Sequence, residues 1–174
     1  INDRAADNTP AWYQDLSFNL DFVQILTRMT IPSHISIVRE RNVGVRFWTD
    51  ASFSVDSDGL PDCKLCAIIR PRPPLLPQGI VLKVPPEIFK YFKERRQQIH
   101  MGELLAPICA MLKWPHLMMN ESAIFYIDNM GVLCNIVNGA SRAEDASTLI
   151  FALHLRLAKL NARCWWEWVE SESN

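Results

Sequence analysis

Three carboxylates stand where a carboxylate is costly. Asp50 interrupts Phe47-Trp48-Thr49-Asp50-Ala51-Ser52, which otherwise reads as a strand entering a core. Glu103 opens the apolar run Leu104-Leu105-Ala106-Pro107-Ile108, and Asp128 closes Ala123-Ile124-Phe125-Tyr126-Ile127. A buried, ionised carboxylate is strongly unfavourable unless it is paired, hydrogen-bonded or bound to metal. Brought to one place, three such groups repel, and each pKa rises unless cations neutralise them. Magnesium or manganese does this with oxygen ligands, and a pair of such ions is the usual apparatus for in-line phosphoryl displacement. Singly, Asp128 reads as a turn or cap residue and Glu103 as a first-turn acid favoured by the helix dipole. Asp50 has no turn residue beside it. The set of three, in this order along the chain, favours a metal site.

The elements that must position these acids follow from periodicity. Residues 43–54 alternate, with Val45, Phe47 and Thr49 on one face and Arg46, Trp48 and Asp50 on the other, which predicts a strand. Asp56-Ser57-Asp58-Gly59-Leu60-Pro61 is a turn, and strands follow over 64–70 and 79–84, giving an antiparallel meander. Residues 90–98 are charged and read as a solvated segment. A helix runs through 103–112; Pro107 fits if that helix begins close to Glu103, because first-turn amides have no internal partner. A short apolar strand over 122–128 comes next, then a helical stretch over 131–137. The clearest helix carries Ala146, Leu149, Ile150, Leu153, Leu157 and Leu160 as one stripe, and a tryptophan-rich strand over 164–169 ends the pattern. A ragged helical pattern over 10–29 precedes everything. Three strands in a meander followed by helix–strand alternation imply a mixed sheet with helices on its faces. In such a sheet the first and fourth strands can be neighbours, and the helix opening can reach their shared edge.

The 174 residues suit one domain with a short appended element, and 49% apolar against 21% charged residues supply a full core. No run approaches the ~18 apolar residues of a membrane span. The chain begins at Ile1 with no signal-peptide layout and reads as a piece of something longer. A net charge of −1 gives no global footprint for nucleic acid. A nucleic-acid partner would need a local patch, and the candidates are Lys90, Lys93, Arg95 and Arg96; Arg70 and Arg72; and Arg156, Lys159 and Arg163. A solvated face explains each equally well. Five cysteines are an odd count. Cys63-Lys64-Leu65-Cys66 is a lone CxxC without the second ligand pair zinc needs, and Cys109, Cys134 and Cys164 read as small core residues. A reducing, intracellular compartment is the expectation.

Three stretches carry a resemblance. "FWTDAS" followed by a hairpin, "IHMGELLAPICAML" and "AIFYIDNMGVL" resemble the ribonuclease H domain of retroelement reverse transcriptases, and "WWEWVESESN" is similar to the last strand and loop of that family, especially in DIRS-like retrotransposons. The resemblance covers about residues 43–174. It implies an α/β ribonuclease H-like fold: a mixed five-stranded sheet, first three strands antiparallel, then parallel strands, with helices on both faces. It places the catalytic, metal-binding acids on Asp50, Glu103 and Asp128. It further implies two Mg2+ or Mn2+ ions, hydrolysis of the RNA strand of an RNA–DNA hybrid, and an upstream reverse-transcriptase polymerase domain in the same polyprotein, with no membrane partner. Ser52, Ser54 and Asn129 lie beside the acids and could contact the sugar–phosphate backbone, although each is more readily an ordinary turn or strand group. The family's fourth acid falls a few residues beyond an asparagine matching Asn174, past the end of this sequence; Glu170 and Glu172 are the nearest substitutes. No histidine-bearing loop like that of cellular ribonucleases H follows Trp168-Val169. Residues 1–42 resemble the connection region only by position. Two other readings stay open: a non-catalytic scaffold of the same fold, and a different nuclease of the same superfold such as an integrase or resolvase. Retained carboxylates favour an enzyme over a scaffold, because a dead site gains by replacing buried charge with apolar side chains.

Overall fold

The structure is a computed structural model that describes residues 43–95 and 98–171. The helix expected over 10–29, the connection-like segment 1–42, Arg96, Glu172 and Asn174 lie outside the described residues. Strands β1 (Val45–Val55), β2 (Pro61–Pro71) and β3 (Gln78–Val84) form the antiparallel meander. A 3-10 turn over Pro86–Tyr91 leads to helix α1 (Ile99–Lys113) and the short α2 (Pro115–Met118). Then come β4 (Ser122–Ile127), α3 (Met130–Asn138), α4 (Glu144–Leu160) and β5 (Arg163–Trp168). The sheet order is β3-β2-β1-β4-β5, with β4 parallel to β1 and β5 parallel to β4. This mixed five-stranded sheet is the one the resemblance implies. Parallel neighbours need long crossovers, and α1 and the α3–α4 pair supply them.

Alternation decides what each strand buries. On one face Val45, Phe47 and Thr49 of β1 lie beside Ala67 and Ile69 of β2 and Ala123 and Phe125 of β4, all buried. The rings of Phe47 and Phe125 stack at 4.3 Å, and Trp166 of β5 stacks on Phe125 at 4.8 Å. The stripe predicted for the last helix is what α4 buries: Ala146, Ile150, Leu153, Leu157 and Leu160 enter the same cluster, with Leu149 packed at its margin. Met101, Leu104, Ala110 and Met111 of α1 and Val132 and Ile136 of α3 complete it. These helices are therefore held to the sheet chiefly by apolar burial, worth about 1.5–3 kcal/mol per large side chain. The second face presents Trp48 stacked on Tyr126 at 4.9 Å, with Ile68 and Trp165 exposed.

Helix α1 differs from expectation in one respect that matters to the acids. It starts at Ile99, four residues before Glu103, so Glu103 sits beyond the first turn and Pro107 lies inside the helix. Apolar packing of Met101, Gly102 and Leu104 carries the helix back past the point where proline chemistry alone would begin it. Pro107 lacks the amide that would bond the carbonyl of Glu103. Gly102 explains how close α1 can lie: a Cβ there would meet both the Ala51 Cβ and the Cys63 Sγ at 3.0 Å.

The two cysteines of the CxxC occupy one strand three residues apart and so project to opposite faces, Cys63 buried and Cys66 half-buried. They cannot share a metal.

Candidate metal centre

The last parallel rung between β1 and β4 joins Trp48 to Tyr126. Two residues further along each strand stand Asp50 and Asp128, so the sheet itself delivers both acids to the place where the strands cease to pair. Glu103 comes from α1. One carboxylate oxygen from each of Asp50, Glu103 and Asp128 lies within 4.8 Å of the others. Among the described residues, no other group of three histidines, cysteines or acids meets in this way.

Their environments differ. Asp50 is exposed, and its Oδ1 accepts the Ala51 amide at 2.7 Å. Glu103 is only 5% exposed, and its Oε2 is buried without a hydrogen-bond partner. Asp128 is half-buried, and its Oδ1 is likewise buried and unpartnered. Burial pushes the Glu103 carboxyl up to about 8, with the charges of Asp128 and Asp50 adding to the effect. Burial also raises Asp50, opposed by the Ala51 amide and reinforced by Asp128. Two buried acceptor oxygens with no donor, in a cluster whose members repel, fit a hard divalent cation, which binds carboxylate oxygen and would satisfy both. Asp50, Glu103 and Asp128 would hold it.

The backbone of Asp128 is fixed from the strand beside it. The Trp168 indole donates to the Asp128 carbonyl at 2.9 Å, and the Val169 amide donates to the Ile127 carbonyl at 3.1 Å. Immediately after the acid, Asn129 caps α3, its Oδ1 accepting the Val132 amide at 3.2 Å. The side-chain oxygen of Asn129 is thus committed to the helix, and only its amide group is left to meet a ligand. Ser52 shares the outward face of β1 with Asp50, opposite Lys64. Ser54 lies further out and its hydroxyl reaches the Asp62 carbonyl at 3.5 Å. Glu170 is exposed beyond β5.

Sequence reasoning missed Trp168, Gly102, His100 and Asn135. Gly102 carried a readable signal, since a glycine inside a helical pattern marks a close approach. The His100–Asn135 contact joins residues 35 positions apart at 3.2 Å, and nothing local announces it. Among the basic patches, Lys93 and Arg95 face the start of α4: Lys93 pairs with Glu144 and Arg95 with Asp145. Arg72 pairs with Glu121.

No protein-family profile and no curated protein matches the chain. Solved structures do. LC11-RNase H1, isolated from compost by a metagenomic approach, aligns over 75% of this chain and 87% of its own, with a TM-score of 0.48 and 5% identity. The RNase H1 of the halophilic archaeon Halobacterium salinarum aligns over 74% and 86%, with a TM-score of 0.46 and 8% identity. The RNase H domain of prototype foamy virus aligns over 75% and 82%, with a TM-score of 0.47 and 12% identity. No helix among the described residues is long and apolar enough to cross a membrane.

Proposed function

We propose that this chain is a divalent-metal-dependent nuclease domain that hydrolyses the RNA strand of RNA–DNA hybrids, as the ribonuclease H part of a reverse transcriptase. One observation carries the metal-dependent half of this reading: three carboxylates from β1, α1 and the end of β4 converge within 4.8 Å, with buried oxygens on Glu103 and Asp128 that no protein donor satisfies. The hybrid and the polymerase partner rest on the resemblance of "FWTDAS", "IHMGELLAPICAML" and "AIFYIDNMGVL" to that family. Two Mg2+ or Mn2+ ions are the cofactor of this reading.

When bound, the metal supplies a water of lowered pKa and neutralises charge developing on the phosphate. The chain's own groups do the rest. Asp128, anchored through its carbonyl and the α3 cap, offers an oxygen held in one position. Glu103, protonated in the bare site near neutral pH, gives up its proton when a cation takes its place. Asp50 stands at the exposed side, where a phosphodiester can approach. Ser52, on the same face, and the amide group of Asn129 would contact sugar or phosphate. Hybrid selection would rest on 2′-hydroxyls and groove width, with no base reading.

Incubation of the purified chain with magnesium and a labelled RNA–DNA hybrid tests the reading. Cleavage of the RNA strand, absent with double-stranded DNA, is the expected result. Cutting of duplex DNA in place of the hybrid would favour an integrase- or resolvase-like nuclease. Failure to cut any nucleic acid, with folding intact, would favour the scaffold reading.

A further inference from the structure

Carboxylates gathered without a cation push their supporting elements apart, so something must hold the elements together. Asp128 enters the site from the corner that starts α3, and Glu103 from α1. His100 lies three residues before Glu103, on the same side of α1. Asn135 lies on α3, whose cap residue Asn129 follows Asp128 directly. The Asn135 amide nitrogen stands 3.2 Å from the His100 Nε2. Among the described residues this is the side-chain hydrogen bond that joins the two helices. The ring also packs over the first turn of α3: a Cβ on Gly131 would come within 3.9 Å of the His100 Cε1 and 3.3 Å of the Asn129 Oδ1.

We infer that His100 and Asn135 act as a pair of positioning residues, their hydrogen bond fixing the separation of α1 from α3 and so of Glu103 from Asp128 at the metal centre. This rests on the metal-centre reading above. With the amide nitrogen donating, the ring accepts at Nε2 and carries its proton on Nδ1. Burial favours that neutral ring, aided by the charge of Arg95 and opposed by Asp145. Neither residue faces the metal in this scheme; each acts through the helix it belongs to.

The test is binding of Mn2+ to the whole chain, followed by loss of the free-ion EPR signal, in wild type, Asp50→Asn, His100→Ala, His100→Gln, Asn135→Ala and the double alanine variant. Partners hydrogen-bonded to metal ligands change affinity about 10–100-fold when lost, and a pair acting through the helices belongs at the low end of that range. Asn135→Ala and His100→Ala should each weaken Mn2+ binding about tenfold on that scale. The double variant should be no weaker than either single one, because both remove one contact. His100→Gln, which keeps an acceptor, should recover most of the loss. Asn135→Ala carries the test if His100→Ala misfolds, since alanine is the better helix former. Wild-type affinity in Asn135→Ala, or losses that multiply in the double variant, would overturn the pairing. Equal Mn2+ binding by wild type and Asp50→Asn would instead overturn the metal-centre reading, and the positioning role with it.

Discussion

Asp50 and Asp128 stand two residues past the same rung, the Trp48–Tyr126 pair that ends the parallel ladder between β1 and β4. Their convergence is thus a property of the sheet register, which the stacked rings of Trp48 and Tyr126 and the buried rings of Phe47 and Phe125 hold in place. Replacing Asp50 by asparagine keeps the shape and removes one of three mutually repelling charges. Metal-dependent cleavage of the hybrid should fall by several orders of magnitude. The melting temperature in EDTA should hold or rise, because a charge raised by burial and by Asp128 is gone. A cleavage assay and a thermal melt check the two halves separately. An Asp50→Asn protein that cuts at the wild-type rate would remove this acid from the site.

Metal-free stability should depend on pH through Glu103. Its carboxyl has an ordinary value near 4.5 and is raised to about 8 in the folded chain. Between those values the folded state holds a proton that the unfolded state has lost. The associated stability is fully present below about 4.5 and is lost as pH rises through about 8. Each unit of difference is worth about 1.4 kcal/mol, so a change of a few kcal/mol is the scale. In EDTA the protein should therefore melt lower at pH 8.5 than at pH 5.5, and Glu103→Gln should flatten that slope. Saturating magnesium should restore stability at the higher pH, the cation replacing the proton. Identical slopes for wild type and Glu103→Gln in EDTA would contradict the burial of this charge.

How much of this was legible follows from the range of each signal. The alternation of Val45, Phe47 and Thr49 against Arg46, Trp48 and Asp50 is local, and it named both the strand and the face that carries the acid. The α4 stripe was equally plain. The start of α1 was misplaced because Pro107 suggested a first turn, while packing of Met101 and Gly102 on the sheet extended the helix backwards. That burial is set by distant residues such as Ala51 and Cys63, which no local window contains. The same holds for the Trp168 indole on the Asp128 carbonyl and for His100 against Asn135. The three acids were readable because an acid in an apolar run is conspicuous wherever it falls. Their supports are ordinary residue types, conspicuous only once folded.

The close seat of α1 on β1 and β2 makes Gly102 a sensitive position. An added Cβ meets the Ala51 Cβ and the Cys63 Sγ at 3.0 Å, and the first of these, bonded directly to the β1 backbone, has little room to give. Alanine in place of glycine gains up to about 1 kcal/mol of helix propensity, while overpacking of this kind costs about 1–3 kcal/mol. Gly102→Ala should therefore be neutral to moderately destabilising, and Gly102→Val clearly destabilising. Because Glu103 is the next residue, both should weaken Mn2+ binding more than they lower the denaturation midpoint would suggest. Chemical denaturation alongside Mn2+ titration checks this. Gly102→Val with wild-type stability and affinity would mean that α1 does not depend on this contact.

The loop before α1 is fastened to the far helix by Arg95, whose guanidinium donates to both oxygens of Asp145, at 2.8 Å to one and 2.5 Å to the other. The Lys93 amide also donates to Asp145, at 2.8 Å, and Gln98 reaches the Lys93 carbonyl at 2.9 Å. The guanidinium and two backbone amides hold the Asp145 carboxyl well below the usual carboxylate range. A depressed carboxyl stabilises the fold above its unfolded value near 3.8 and loses that contribution as pH falls further. Asp145→Asn should then cost about 1.5–3 kcal/mol at pH 7, the scale of hydrogen bonds to charged groups. The difference from wild type should shrink steadily below about pH 4, where the carboxyl takes up a proton in the unfolded state while the folded one stays ionised. Urea denaturation of both proteins from pH 7 down to pH 3 measures it. A penalty unchanged across that range would show that the charge of Asp145 contributes nothing and that only its shape matters.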